Sequence, residues 1–356
     1  MPATSVMSQH GEAGSSLSLA PTPLRRVFFA LNARERDLFF TQPYKERDIE
    51  ARWASEDELS SPQRWAEALE AWRPEILVSG WSTPPLPMNW LGQPDCPVRY
   101  VCHVTGSVRG IVPREFLERG GRITNWGNIA AREVAEHALL LALAALRKLP
   151  RWSGLRVEAG GPSPSALLGT RTLFHRSVGL HGFGSVARAL QDLLSGFGVA
   201  VHAFSAGVPD ALMREAEVTP CSSLKELFSR SEVLFECEAL TPESCGSVTG
   251  EILGCLRDDA VFVNVARGQI ADEKALLREA ESGRIHVAVD VLNGEPPPFD
   301  PPFARLPNVI FSPHIAGPTF DTLPRCGDLA LENLRRFLND QPLEAEIDLE
   351  IYDRST

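Results

Sequence analysis

Residues 177–205 constrain this chain more than any other stretch. An apolar run, Ser177-Val178-Gly179-Leu180-His181, leads into Gly182-Phe183-Gly184-Ser185-Val186-Ala187. Behind the glycines, Val186, Leu190, Leu193, Leu194 and Phe197 recur at helical spacing, and a second strand-like run follows over residues 199–204. Strand, glycine-rich turn, helix and strand make one βαβ unit. Gly182 permits the tight turn. Gly184 lets backbone approach a pyrophosphate, whose charge is met by the N–H groups and dipole of the helix N-terminus. Ala187 takes the place of the third glycine. The bare spacing also occurs at ordinary strand-to-helix turns, so the flanking strand and helix are what point to a dinucleotide.

The rest of the chain repeats this alternation. Strands are expected at 232–237, 260–265, 285–291 and 309–311, with helices opening at a Thr249 cap and an Asp272 cap. Strands separated by helices make a parallel, doubly wound sheet. Before it, residues 26–126 carry strand-like runs at 27–31, 76–78 and 100–102 between polar stretches, which reads as a second α/β unit. Residues 129–149 form one long helix, rich in Ala and Leu, that suits a bridge between the two and a subunit contact. An amphipathic helix near 324–338 is left to return to the first unit.

At 356 residues, two cores are expected. A net charge of −11 with 35 Lys plus Arg, and no basic patch, argues against nucleic acid or an anionic membrane surface as partner. The seven cysteines are scattered without a CxxC pair, so neither a disulfide framework nor a metal site is indicated, and a reducing cytoplasm is the simplest compartment. Residues 1–23 read as a flexible tail, lacking the charged start and apolar core of a signal peptide. The longest apolar run, 138–146, is too short to span a bilayer.

Ligands of doubly wound sheets bind beyond the carboxyl ends of the strands. Four groups lie at or just beyond strand ends here: Arg267 after 260–265, Asp290 near the end of 285–291, Glu295 five residues later, and His314 after 309–311. Singly, a loop Arg or Glu is usually solvated and a lone His is usually structural; at one edge of one nucleotide-binding sheet they form a candidate constellation.

These residues, with Val134-Ala135-Glu136-His137, Leu240-Thr241-Pro242-Glu243, Asn264-Val265-Ala266-Arg267-Gly268 and Pro313-His314-Ile315-Ala316 in the same order, resemble the D-isomer-specific 2-hydroxyacid dehydrogenases over about residues 95–345. The resemblance implies a Rossmann-type domain at 129–317 and a smaller flavodoxin-like α/β substrate domain at 24–128 with 318–350. It also implies NAD or NADP as cofactor, a 2-oxo or 2-hydroxy acid as substrate, and a homodimer. Arg267, Glu295 and His314 would be catalytic: Arg267 binding the substrate carboxylate and polarising its carbonyl, His314 acting as acid and base, Glu295 supporting the imidazolium. Asp290 would hold the nicotinamide carboxamide. Cofactor contacts would come from Gly182, Phe183, Gly184, Ser185, Val186, Ser205, Thr241, Val265, Ala266, Arg267, Asp290, His314 and Ala316.

The chain departs from that family in places. The carboxylate-binding loop, usually Gly-x-Gly-x-Asp-Asn, aligns as Thr105-Gly106-Ser107-Val108-Arg109-Gly110. The N–H groups of Gly106 and Ser107 still suit a carboxylate, while Arg109 reads either as an added substrate cation or as an interdomain ion-pair partner. Trp81 either closes the substrate pocket or packs on its own domain. Ser205 stands where an acid usually holds the ribose, and no Arg follows it directly, so NAD and NADP both remain open and intrinsic discrimination should be weak. Cys237 and Ala239 replace a His and a Pro on the adenosine side. A dinucleotide-sensing corepressor on the same fold is the alternative reading; it would need a peptide-docking groove and usually a long disordered extension.

Overall fold

The computed structural model describes residues 24–41, 49–152, 155, 161–294 and 302–354. The expected tail at 1–23 and Glu295 lie outside the described residues. Two sheets organise the chain, and every strand pair in both is parallel. The first contains β1 (Arg25–Ala30), β2 (Ile49–Trp53), β3 (Ile76–Ser79), β4 (Tyr100–His103) and β5 (Arg122–Thr124). Its order, β2-β1-β3-β4-β5, is that of a flavodoxin-like sheet.

The second contains β6 (Ser177–His181), β7 (Ala200–Phe204), β8 (Thr219–Pro220), β9 (Val233–Glu236), β10 (Val261–Asn264), β11 (His286–Val289) and β12 (Val309–Phe311). Its order, β12-β11-β10-β9-β6-β7-β8, is Rossmann-like, with the chain direction across the sheet reversing between β6 and β9. The central strands β9, β10 and β11 are buried throughout, as strands covered on both faces must be.

Local chemistry accounts for the helix starts. Thr249 and Asp272 accept the N–H groups of Ile252 and Ala275, the caps expected from the sequence. The helix Ala131–Leu146 buries Ala135, Ala138, Leu141, Ala142 and Leu146 in the core of the second sheet, and small residues on that face allow close packing against the helix Ser185–Leu194. The helix Leu323–Leu338 returns to the first sheet, as its amphipathic pattern suggested, burying Cys326, Ala330 and Leu334 beside Phe29, Val78 and Tyr100. A Cβ at Gly327 would lie 1.9 Å from the Phe39 carbonyl oxygen, so glycine is what lets the helix Ala33–Phe39 approach it. The short C-terminal helix Leu349–Arg354 packs on the helix Arg114–Glu118, with Tyr352 in the first sheet's core. No helix among the described residues is long and apolar enough to cross a membrane.

Candidate active site

The reversal between β6 and β9 opens a crevice at their carboxyl ends, and the glycine turn stands over it. Gly182 has φ +89°, and a Cβ there would meet the backbone N and Cα of Glu238 at 2.7 Å. Its N–H is fixed to the Phe204 carbonyl at 2.8 Å. Gly184 differs in kind. It caps the helix Ser185–Leu194 without a side chain, its backbone is extended, and a Cβ built on it meets nothing within 4 Å. Exposed N–H groups at a helix end, with open space before them, fit a pyrophosphate. Phe183 is buried under the Arg188 guanidinium, Ser185 is exposed, and Val186 turns partly inward.

Beside this turn lies a cavity of about 510 Å³, lined by His181, Phe204, Glu238, Thr241 and Arg354 among others. Thr241 closes a tight turn through Ser244, whose hydroxyl accepts its N–H at 2.8 Å. Ser205 is buried and donates its hydroxyl to Glu238 Oε2 at 2.9 Å. The strand end that lacks an acid of its own therefore has one beside it, from the loop that follows β9. Beneath it, His181 Nδ1 and Glu236 Oε2 are 2.5 Å apart in the protein interior. Burial pulls the His181 pKa down, but the Glu236 carboxylate outweighs it and the net shift is upward.

Arg267, Asp290 and His314 follow three adjacent strands, β10, β11 and β12. Asn264, buried at the end of β10, shapes the first of these loops: its Oδ1 accepts the Ala266 N–H at 3.0 Å and its Nδ2 donates to the Arg267 carbonyl at 3.1 Å. Val265 is buried below, Gly268 presses against the Leu292 backbone, and the Arg267 guanidinium donates to the Ala266 carbonyl at 2.7 Å.

Asp290 is only 1% exposed and organises the third loop. It accepts the Ser312 hydroxyl at 2.5 Å and the N–H groups of Ile315 and Ala316 at 3.0 and 2.9 Å. Its own carbonyl takes the His314 N–H at 2.8 Å. His137, on the helix Ala131–Leu146, completes the cluster through Ser312 at 2.9 Å. These bonds hold His314 at φ +55°, a conformation a non-glycine residue adopts only when its surroundings impose it. His314 is exposed, and Ala316 is buried.

The loops after the strands of the first sheet carry the remaining candidate residues. Thr105 is buried at the end of a hydrogen-bonded chain, Ser79 Oγ to His103 Nδ1 at 2.9 Å and His103 Nε2 to Thr105 Oγ1 at 2.5 Å. Burial lowers the His103 pKa to about 4, so the ring is neutral and relays hydrogen bonds without a charge. Gly106 lies against the Trp126 indole, where a Cβ would approach to 2.7 Å, and Ser107 is exposed. Trp81 is 56% exposed and packs on Phe39 and edge-on to Trp126. Arg109 is turned to the C-terminal helix: its Nε donates to the Tyr352 carbonyl at 2.9 Å, a second nitrogen reaches the Asp353 carbonyl, and its guanidinium lies over the Tyr352 ring. It holds the C-terminal helix in place, a role neither of the two sequence readings gave it.

Sequence reasoning passed over His103, Trp126, Glu236 and Glu238, and gave Asn264 and His137 no role. Polar residues at the ends of apolar strands were the available signal for His103, Asn264 and Glu236, because burial there demands a partner.

The fold and this crevice are those of a dinucleotide-binding protein. The family model for the NAD binding domain of D-isomer specific 2-hydroxyacid dehydrogenases matches residues 139–316. The chain is 31% identical to the 2-ketogluconate reductase of Gluconobacter oxydans over 61% of its length and 68% of that protein. It is likewise 31% identical to a glyoxylate/hydroxypyruvate reductase of Arabidopsis thaliana, over 65% of its length and 71% of that protein. The holo D-mandelate dehydrogenase structure of Rhodotorula graminis superposes with a TM-score of 0.77 at 19% identity, covering 92% of this chain and 98% of that one. The chain belongs to the D-isomer-specific 2-hydroxyacid dehydrogenases. It is an NAD(P)-dependent oxidoreductase acting between 2-oxo and 2-hydroxy acids.

Proposed function

We propose that the chain reduces a small 2-oxo acid to its D-2-hydroxy acid with Arg267, Glu295 and His314 as the catalytic set. A bound reduced nicotinamide dinucleotide supplies the hydride. The forked donors of Arg267 take the substrate carboxylate and polarise the adjacent carbonyl, with the N–H groups of Gly106 and Ser107 available from the opposing loop. His314 gives its proton to the carbonyl oxygen and takes it back in the reverse direction. Glu295, outside the described residues, stabilises the imidazolium. Asp290 fixes the His314 loop, and this is the observation that supports the reading best: a buried carboxylate with both oxygens engaged holds one strained histidine at the sheet edge.

The cofactor side is residues 129–317 and the substrate side is 24–128 with 318–350, the indoles of Trp81 and Trp126 forming an apolar wall. A homodimer through the helix Ala131–Leu146 would cover Leu140, which is 56% exposed. The test is a panel of glyoxylate, hydroxypyruvate, pyruvate and phenylpyruvate against NADH and NADPH, followed at 340 nm. Oxidation of cofactor with at least one acid is expected; cofactor binding without turnover on any of them favours a sensing role instead.

A further inference from the structure

We propose that Glu238 sets the choice of cofactor by excluding a 2′-phosphate, so that the chain selects NAD(H) over NADP(H); this rests on the reading of the glycine turn as the dinucleotide site. An acid that accepts the ribose hydroxyls is what rejects a phosphate in their place, and the end of β7 carries Ser205 instead. Glu238 fills that gap from β9. Its carboxylate is held at both oxygens, Oε2 by the Ser205 hydroxyl at 2.9 Å and Oε1 by the Ala239 N–H at 3.0 Å. Its backbone N–H is fixed to Glu236 Oε1 at 3.0 Å, and Glu236 is fixed in turn by His181. Gly182 abuts the Glu238 backbone, so the pyrophosphate turn and this carboxylate are positioned by one contact.

Each carboxylate oxygen has acceptor capacity beyond the one bond it makes here, enough for the two ribose hydroxyls. A 2′-phosphate offers only acceptors and adds negative charge, and among the described residues no Lys or Arg forms an ion pair with Glu238 to offset the repulsion. Arg354 also lines the cavity, its guanidinium against Gly207 two residues beyond Ser205, and its side chain borders the space before Gly184 and Ser185 as well. Its charge is shared with Glu350 at 4.0 Å, and it is assigned to the pyrophosphate, a group common to both cofactors.

The test is calorimetric binding of NADH and of NADPH to the full chain without substrate, for wild type, Glu238→Gln and Arg354→Ala. Wild type should bind NADH at least about tenfold more tightly than NADPH. Glu238→Gln keeps an acceptor for Ser205 and should bring the two affinities within about threefold of each other, chiefly by tightening NADPH. Arg354→Ala should weaken both cofactors alike. Equal affinities in wild type, an unchanged ratio in Glu238→Gln, or a loss confined to NADPH in Arg354→Ala would each overturn the proposal. If neither cofactor binds wild type, the dinucleotide reading beneath it fails first and the assignment of Glu238 falls with it.

Discussion

Asp290 accepts the hydroxyl hydrogen of Ser312 at 2.5 Å, and through that bond two strand ends become one rigid support for His314. Ser312 and Asp290 close β12 and β11, and the same carboxylate takes two successive N–H groups beyond His314. The loop is thus defined by a residue that need not touch the reacting atoms at all.

Replacing Asp290 by Asn tests this. The amide offers one acceptor oxygen where the carboxylate offers two, so a buried N–H of the 315–316 pair is left facing an NH₂ group. Asp290→Asn should destabilise the fold by about 1–3 kcal/mol and, by misplacing His314, lower turnover ~10-fold or more. Thermal unfolding and steady-state kinetics on one preparation check both; unchanged turnover would mean that the loop keeps its shape without the carboxylate.

The two glycines of the turn should separate folding from binding. Gly182→Ala places a methyl group against the Glu238 backbone at a positive φ, and should cost roughly 1–3 kcal/mol or prevent folding. Gly184→Ala meets nothing in the protein, so its unfolding temperature should stay within about 2 °C of wild type. A ligand approaching that surface meets the new methyl group, and cofactor affinity should fall ~10-fold or more. Calorimetry on the Gly184 variant decides; normal affinity would place the pyrophosphate elsewhere.

His103 predicts an acid limb of stability. Unfolded, its imidazole takes a proton near pH 6.5; folded, burial delays this to about 4. Between those values the unfolded state binds more protons than the folded one, so stability falls as pH falls, by about 3 kcal/mol in full. His103→Gln should flatten the difference in unfolding free energy between pH 7 and pH 4.5 by about 2–3 kcal/mol relative to wild type. The comparison is with wild type because His286, whose pKa burial also lowers to about 4 with help from Lys148 and Arg171, contributes equally to both. Parallel pH dependences would show that His103 is protonated or solvated in the folded state.

Much of this was legible in the sequence because it is local. Strand-length apolar runs, the Thr249 and Asp272 caps and the amphipathic pattern of the helix Leu323–Leu338 are set by neighbours a few residues apart, and the structure has them where they were expected. What escaped was weakly patterned or distant. β2 packs as a half-exposed edge strand, and β8 is two residues long. The C-terminal helix Leu349–Arg354 finds its partner, Arg109, some 243 residues away, and no periodicity announces such a pair. The same limit hid Glu238: Ser205 was read against its own strand, where an acid is missing, while the acid that bonds it comes from β9.

The central claim is that His314, held by Asp290, transfers the proton during reduction of a 2-oxo acid. His314→Asn keeps a residue that tolerates φ near +55° while removing the proton donor. Turnover and NADH affinity should be measured side by side on the best acid from the panel. A loss of turnover of ~10²-fold or more is expected, with the NADH dissociation constant within about twofold of wild type. Turnover close to wild type in His314→Asn would contradict it.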